Sequence, residues 1–370
     1  MTTAGKQITS TLTADGMLTV TLTDHTFADP TGREVLVQIE AAPINPSDLA
    51  MLFGPADLAN ASYSPGKIVA PMPEPAMRAM AGRIGDELPV GNEGAGTVIA
   101  AGDDAYARSL IGKRVSLVSG QSYSSHALVD ARGCLVLPDD ISAEQGAGTF
   151  VNPLTVLGFV ETMRADGFTG IVHTAAASNL GQMLVKLCAS EGIPLVNVVR
   201  SDEQAAILKA IGAEHIVNSA DENFIGQLTD AIAATGAYLA FDAIGGGRMT
   251  STLLTAMEQV ASKGDPYNRY GSNTAKQIYV YGMLDLSPTV LNRSFGFTWS
   301  VSGWLLMPFL AKIGPEGQMR LRSQVLSGLT TTFASHYKAK ITLEEMLTKD
   351  VAMAYNAKAT GEKYLVVPGA

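Results

Sequence analysis

The sequence predicts an α/β protein of two domains. One is a β-rich, barrel-like domain assembled from both ends of the chain, and the other is a doubly wound parallel sheet inserted between them. Three observations carry this. The 370 residues are 46% hydrophobic, enough apolar material for two cores. Up to residue 140 the chain runs in short strand-type segments broken by glycine, and from residue 145 strands alternate with helices. After residue 335 the β-rich style returns.

In the first region Met17–Leu22 alternates apolar and polar residues (LTVTL), and Val35–Ile39, Thr97–Ala101 and Arg114–Val118 are further strand candidates. Gly32, Gly54, Gly66, Gly91, Gly94, Gly96, Gly112 and Gly120 punctuate them. Short strands at this spacing suit a compact barrel. The stretch Ser64–Pro89 is rich in Pro and Met and has little periodicity. It reads as a loop or insertion, either covering a site or mobile.

In the middle region the expected strands are Ile171–His173, Pro194–Val199, His215–Asn218, Tyr238–Ile244 and Gln277–Gly282. The expected helices are Asn179–Ser190, Gln204–Ile211, a segment ending near Ala233, and Met249–Ala261. Right-handed crossovers between such strands make a parallel sheet. In the tail, Tyr337–Ile341 and Lys363–Val367 read as strands around a helical Leu343–Asn356. The expected boundaries are residues 1–145 with 335–370 for the barrel domain, and 146–334 for the parallel-sheet domain.

Composition excludes several function classes. Only 16% of residues are charged, the net charge is −9, and no basic block is present, so nucleic acid is a poor partner. Two cysteines, Cys134 and Cys188, exclude a four-Cys zinc site and a disulfide framework. Both lie in apolar runs and read as buried small hydrophobes. His25, His126, His173, His215 and His336 show no ligand spacing and read as structural or surface residues. The N-terminal segment has no apolar h-region, and no apolar run approaches the roughly 20 residues that span a bilayer. The expectation is a cytoplasmic protein with a small-molecule substrate and no membrane anchor.

The segment Ile171-Val-His-Thr-Ala-Ala-Ala-Ser-Asn-Leu-Gly181 carries the chemistry. Laid on G-x-G-x-x-G it gives Ala176-x-Ser178-x-x-Gly181, with Asn179 and Leu180 between. Small residues let backbone approach a pyrophosphate at a helix N-terminus, and Gly181 falls where helix and strand pack closely. An Ala/Ser-rich helix start alone is a weak signal. Here it follows an apolar strand and opens an apolar helix within a βαβ unit, the context the fingerprint demands. The next strand, PLVNVV, runs into Arg200 and Ser201 where NAD-binding chains usually carry a carboxylate. A guanidinium can hold a 2′-phosphate bidentately, which points to NADPH. Asp202 follows and is expected to cap the next helix.

Four strings then resemble a known family, the medium-chain dehydrogenases/reductases. They are Ala42-Pro-Ile-Asn-Pro-Ser-Asp48, Gly91-Asn-Glu-Gly-Ala-Gly96, Val151-Asn-Pro-Leu-Thr155 and Asn197-Val-Val-Arg200. They are most similar to the zinc-independent quinone oxidoreductase and mitochondrial-type 2-enoyl thioester reductase branch. FDAIGG (241–246), VYGM (280–283) and EKYLVVP (362–368) are similar to later segments of that family. The resemblance spans nearly the whole chain. It implies a GroES-like β-barrel catalytic domain, a Rossmann domain and NADPH as cofactor. It further implies cofactor contacts at Asn45, Thr155, Ile244, Tyr281, Gly282, Met283 and Lys363. Where the zinc branch has Gly-His-Glu, this chain has Gly91-Asn92-Glu93, and Asn is a poor zinc ligand. No metal is therefore expected.

Without a metal, a conjugated carbonyl acceptor suits hydride transfer, because charge moves onto an oxygen that hydroxyl and amide donors can stabilise. The resemblance implies a catalytic Tyr after the INPSD string, and Tyr63 is the nearest match, with Asn45 at the active-site end. A loop aromatic and an Asn-Pro turn are the structural alternatives. Phe295, Phe297, Trp299 and Trp304 are either pocket lining or plain core and interface. The activity expected is NADPH-dependent reduction of an activated C=C bond in an enoyl thioester, enone or 2-alkenal. The alternatives are quinone reduction and an NADPH-binding protein with little catalysis. The resemblance also implies a homodimer, paired through the sheet edge near Gln277–Tyr281.

Overall fold

The computed structural model describes residues 2–361 and 363–369. Glu362, the first residue of the EKYLVVP string, lies outside them. The chain divides into two compact units, Met1–Val151 with Gln324–Ala370, and Asn152–Ser323. The cuts fall at 151/152 and 323/324, where sequence patterning places them at 145/146 and 334/335.

The first unit, hereafter the barrel unit, is built on two sheets. Five antiparallel strands run in the order Ser62–Ser64, Lys67–Pro71, Met17–Phe27, Thr3–Leu12, Glu87–Pro89. The second sheet runs Leu135–Val136, Arg114–Val118, Glu93–Ala101, Glu34–Pro43, Tyr364–Val366, Ala339–Ile341, with His126–Asp130 also on Glu34–Pro43. Apolar residues of both sheets, including Ile8, Leu18, Val37, Val98 and Val115, share one core, as the alternation in LTVTL requires. The tail strand Tyr364–Val366 pairs with Glu34–Pro43, joining the two chain ends.

The Ser64–Pro89 stretch is not a structureless loop. It supplies the strands Lys67–Pro71 and Glu87–Pro89, with the short helix Glu74–Ala79 between them. These strands are only five and three residues long, too short to show a period. They are held by pairing to Met17–Phe27 and Thr3–Leu12.

The second unit, hereafter the nucleotide unit, is a six-stranded parallel sheet. Its order is His215–Asn218, Leu195–Val199, Ile171–His173, Leu239–Asp242, Lys276–Val280, Trp299–Gly303. Numbered along the chain this is 3-2-1-4-5-6, the doubly wound order with a switch point beside Ile171–His173. Val172, Val196, Val198, Ala240 and Ile278 are buried beneath the helices, so these strands are mostly apolar, with His173, Asn197 and Asp242 as buried polar residues among them.

Two expectations change here. Lys276–Val280 is an interior strand, paired on both sides, and cannot offer a dimer edge. The edge is Trp299–Gly303, paired only to Lys276–Val280 among the described residues. The aromatic group also disperses. Phe295 is fully buried, Phe297 is 76% exposed, and Trp304 is buried with its Nε1–H donating to Thr162 Oγ1 at 3.0 Å. They do not form one pocket wall.

Candidate functional site

In the nucleotide unit the strand Ile171–His173 ends and the chain turns through Thr174–Ser178 into the helix Asn179–Glu191. Ala175 has φ +50°, a left-handed conformation rare for a residue with a Cβ. Ser178 caps the helix, its Oγ accepting the Gly181 N–H at 3.1 Å. A Cβ on Gly181 would lie 2.0 Å from the Ala176 carbonyl oxygen, so only glycine permits this approach. Ala176 is fully buried, while Asn179 and Leu180 stand partly open in the first helical turn. This turn fits a dinucleotide pyrophosphate: small side chains, a close backbone approach and a helix N-terminus.

At the end of Leu195–Val199, Arg200 is exposed, and its backbone N–H donates to Gln204 Oε1 at 3.0 Å. Ser201, not Asp202, caps the helix Asp202–Ala210, with Oγ accepting the Gln204 N–H at 3.3 Å. Asp202 is the first helical residue, and its carboxylate instead accepts from Asn218 Nδ2 at 3.0 Å. Ser201 stands at the position before the first helical residue, so its hydroxyl rather than the Asp202 carboxylate meets the Gln204 N–H.

Beside the turn, sequence reasoning missed a buried network. Asp242, fully buried at the end of Leu239–Asp242, accepts from Thr174 Oγ1 at 2.7 Å and from the Ile244 N–H at 2.9 Å. Thr174 Oγ1 in turn accepts the Ala243 N–H at 2.8 Å. The network locks the segment carrying Ile244 to the phosphate turn. Across the sheet, His173 Nε2 lies 2.7 Å from the Tyr281 hydroxyl, which is thereby turned inward. Burial pushes the His173 pKa down to about 3 and the Tyr281 pKa upward. Gly282 packs against Ala243, where a Cβ would meet the carbonyl oxygen at 2.6 Å, and Met283 is 71% exposed. Thr155 is buried in the helix Val151–Ala165.

The barrel unit holds a second polar cluster. Asn45 is 1% exposed and precedes the helix Pro46–Leu52. The Asp48 carboxylate accepts the Asn45 N–H at 2.8 Å and the Asn92 N–H at 2.7 Å, and burial raises its pKa to about 6. Asn92 Nδ2 donates to Ser47 Oγ at 3.0 Å. Glu93, fully buried, accepts from Asn45 Nδ2 at 2.9 Å and from the Phe150 and Val151 N–H groups at 2.8 and 3.0 Å. Three buried atoms of the cluster have no hydrogen-bond partner among the described residues: Asn45 Oδ1, Tyr337 Oη and Lys363 Nζ. Burial lowers the Lys363 pKa, opposed by Glu93 and Asp48.

Tyr63 lies apart from these contacts, in the edge strand Ser62–Ser64. Its hydroxyl donates to the Leu58 carbonyl at 2.9 Å, and partial burial raises its pKa. Cys134 and Cys188 are both buried, and burial pushes the Cys188 thiol up to about 12. Among the described residues no three His, Cys, Asp or Glu side chains are grouped to hold a metal ion, and no helix is long and apolar enough to cross a membrane.

These features have counterparts in known proteins. A family model described as zinc-binding dehydrogenase matches residues 180–265, within the nucleotide unit. The human mitochondrial enoyl-[acyl-carrier-protein] reductase is 27% identical over 197 residues, 50% of this chain and 45% of that protein. Its Arabidopsis thaliana counterpart is 27% identical over 314 residues, 79% of this chain and 74% of that protein. The chain spans about half the length of the first curated relatives it matches. Among solved structures, Escherichia coli quinone oxidoreductase complexed with NADPH superposes with a TM-score of 0.68 at 19% identity, covering 99% of this chain and 100% of that one. A mutant enoyl thioester reductase from Candida tropicalis superposes with a TM-score of 0.69 at 18% identity, with the same coverage. In its fold the chain is thus similar to these quinone and enoyl thioester reductase structures, and in sequence to the mitochondrial enoyl reductases.

Proposed function

We propose that this chain is an NADPH-dependent reductase of an activated C=C bond, in an enoyl thioester, enone or 2-alkenal. The observation that carries the reading is the Gly181 turn followed, one strand later, by the exposed Arg200 with no carboxylate in its place. Ala176, Ser178, Asn179, Leu180 and Gly181 would hold the pyrophosphate through backbone N–H groups, and Arg200 with Ser201 the 2′-phosphate. Thr155, Ile244, Tyr281, Gly282, Met283, Asn45 and Lys363 complete the proposed cofactor contacts. Bound there, NADPH supplies the hydride.

The chain's own residues do the rest. The Asp242–Thr174 network keeps the segment at Ile244 in register with the phosphate turn. Asn45 and Lys363 bring an unpartnered acceptor and an unpartnered donor to the barrel unit's polar cluster. Tyr63 is the proposed proton donor to the reduced acceptor. It would first have to release the Leu58 carbonyl. That engagement favours a second reading, quinone reduction, in which no tyrosine acid is needed. The Trp299–Gly303 edge is the proposed site of homodimer pairing, because it leaves backbone groups of a parallel sheet open. The protein is proposed to act in the cytoplasm.

The test is an acceptor panel. Metal-depleted protein is incubated with NADPH or NADH and crotonyl-CoA, a 2-alkenal, an enone or a quinone, while nicotinamide absorbance is followed. Oxidation of NADPH by the conjugated carbonyls supports the first reading, and oxidation by quinone alone the second. Turnover only with added zinc, or none with any acceptor, would overturn both.

A further inference from the structure

We infer that Glu93 is a positioning residue that orients the Asn45 amide so that its oxygen, not its nitrogen, is the free atom of the barrel-unit cluster. The inference rests on the proposed placing of Asn45 among the cofactor contacts.

The hydrogen-bond inventory of Glu93 fixes its role. One oxygen accepts from the Phe150 and Val151 N–H groups, and the other from Asn45 Nδ2. All three neighbours are donors. The Phe150 and Val151 N–H groups can only donate, and together with the Asn45 NH₂ they stabilise the carboxylate form. Burial raises the Glu93 pKa, and the positive charge of Lys363 is the leading opposing influence. A carboxylate only accepts, so the amide end facing it must be the NH₂. Asp48 holds the backbone of the same residue through the Asn45 N–H. Neither the main chain nor the side chain of Asn45 is then free to turn.

What remains is Asn45 Oδ1, buried and without a partner among the described residues. Lys363 Nζ and Tyr337 Oη are in the same condition. These two also converge, since a Cβ on Gly148 would lie 3.3 Å from Tyr337 Oη and 4.0 Å from Lys363 Nζ. Buried polar atoms left unpaired cost stability, and their presence in a folded chain calls for a ligand or a strain-bearing role. Through Glu93 the cluster offers the Asn45 amide oxygen as an acceptor, the Lys363 ammonium as a donor and the Tyr337 hydroxyl, which can act as either. Such a pattern recognises a ligand bearing both a hydrogen-bond donor, a hydroxyl or amide N–H, and an acceptor. Reversing the Asn45 amide would replace that amide acceptor with a donor.

The reversal can be made. In Glu93→Gln the introduced amide must keep its oxygen toward Phe150 and Val151, so its NH₂ faces Asn45. Two NH₂ groups cannot bond, and Asn45 turns over. In the double variant Asn45→Asp/Glu93→Gln the introduced NH₂ donates to the introduced carboxylate. Every hydrogen bond is kept, the net charge is unchanged, and an acceptor oxygen again stands free.

NADPH affinity is measured by fluorescence titration on the full chain, with thermal midpoints alongside. We expect Glu93→Gln to raise the NADPH Kd about tenfold, a difference of 1.4 kcal/mol. The double variant should return to within about threefold of wild type, the tolerance set by a residual charge redistribution. A purely structural role for Glu93 would not produce that rescue. Wild-type affinity in Glu93→Gln, or no rescue in the double variant, overturns the inference. If Glu93→Gln does not fold, the double variant decides, and its failure to fold overturns the inference too, because it retains every bond. Asn45→Ala separates the two levels: wild-type affinity there rejects the placing of Asn45 in the site, whereas weakened affinity with an unaffected Glu93→Gln rejects only the orienting role.

Discussion

His173 and Tyr281 are joined across an intervening strand: Nε2 and the hydroxyl are 2.7 Å apart, and the rings stack at 5.8 Å with 18° between their planes. His173 ends one strand, Tyr281 follows another, and Phe241 lies between them in register with His173. The pair therefore ties the phosphate turn to the VYGM segment over the top of a neighbour. The imidazole is fully buried and neutral, and its Nδ1 has no partner among the described residues.

The pair has a pH signature. The folded pKa of His173 is depressed to about 3, against 6.5 when unfolded. Between those values the unfolded chain binds more protons, so this contribution is fully present above pH 6.5 and is lost as pH falls toward 3. His173→Gln should flatten the acid limb of the stability curve by up to about 1.4 kcal/mol per pH unit in that window. Urea unfolding between pH 4 and 7 reads this directly, and parallel wild-type and variant slopes would contradict it.

Gly181→Ala should damage the phosphate turn. The added Cβ would meet the Ala176 carbonyl oxygen at 2.0 Å, so backbone must shift. We expect a loss of about 1–3 kcal/mol in unfolding free energy, the usual range for overpacking. NADPH should also fail to raise the melting temperature. An unchanged melting temperature with full NADPH protection would show that the helix yields without cost.

Arg200→Ala should weaken NADPH more than NADH. A charge-assisted hydrogen bond contributes about 1.5–3 kcal/mol, so the NADPH KM should rise roughly 10- to 100-fold. The NADH KM should stay within about threefold, since no 2′-phosphate is lost. Because the side chain is exposed, stability should not change. Equal effects on both cofactors would remove Arg200 from the phosphate site.

Tyr63→Phe separates the two acceptor classes. Loss of the bond to the Leu58 carbonyl should cost about 1 kcal/mol of stability. With an enoyl substrate kcat should fall about 10²- to 10⁴-fold, the usual contribution of a positioned acid. With a quinone it should not change. Full turnover of the enoyl substrate would exclude Tyr63 as the proton donor.

Much of the nucleotide unit is legible in the sequence because its constraints are local. Gly181 must lack a Cβ, Ser178 must cap, and Val196 and Val198 must be apolar on a doubly covered strand, so each leaves a mark at its own position. The strand Trp299–Gly303 leaves none. Its WSVSG sequence is half polar because it borders open space, and its aromatics read as easily as a pocket wall. The strands at 67–71 and 87–89 are nearly as silent, since apart from the short hairpin of 67–71 with Ser62–Ser64 their partners lie far back in the chain, in Met17–Phe27 and Thr3–Leu12. Glu93 is the same lesson at the site. The GNEG string marks the position, but nothing in the string shows that its carboxylate gathers Asn45 and the Phe150 and Val151 amides.

The tail strand Tyr364–Val366 has a consequence for how the molecule is made. It is an interior strand, held between Glu34–Pro43 and Ala339–Ile341. On the ribosome, Glu34–Pro43 emerges long before its neighbour. Until then Ala42 and Pro43 present an unfilled edge to chaperones and to other nascent chains, while the nucleotide unit, continuous in sequence, can fold unaided. The barrel therefore cannot close until Tyr364–Val366 has emerged, and a chain clipped by a protease just before Tyr364 would lack that interior strand.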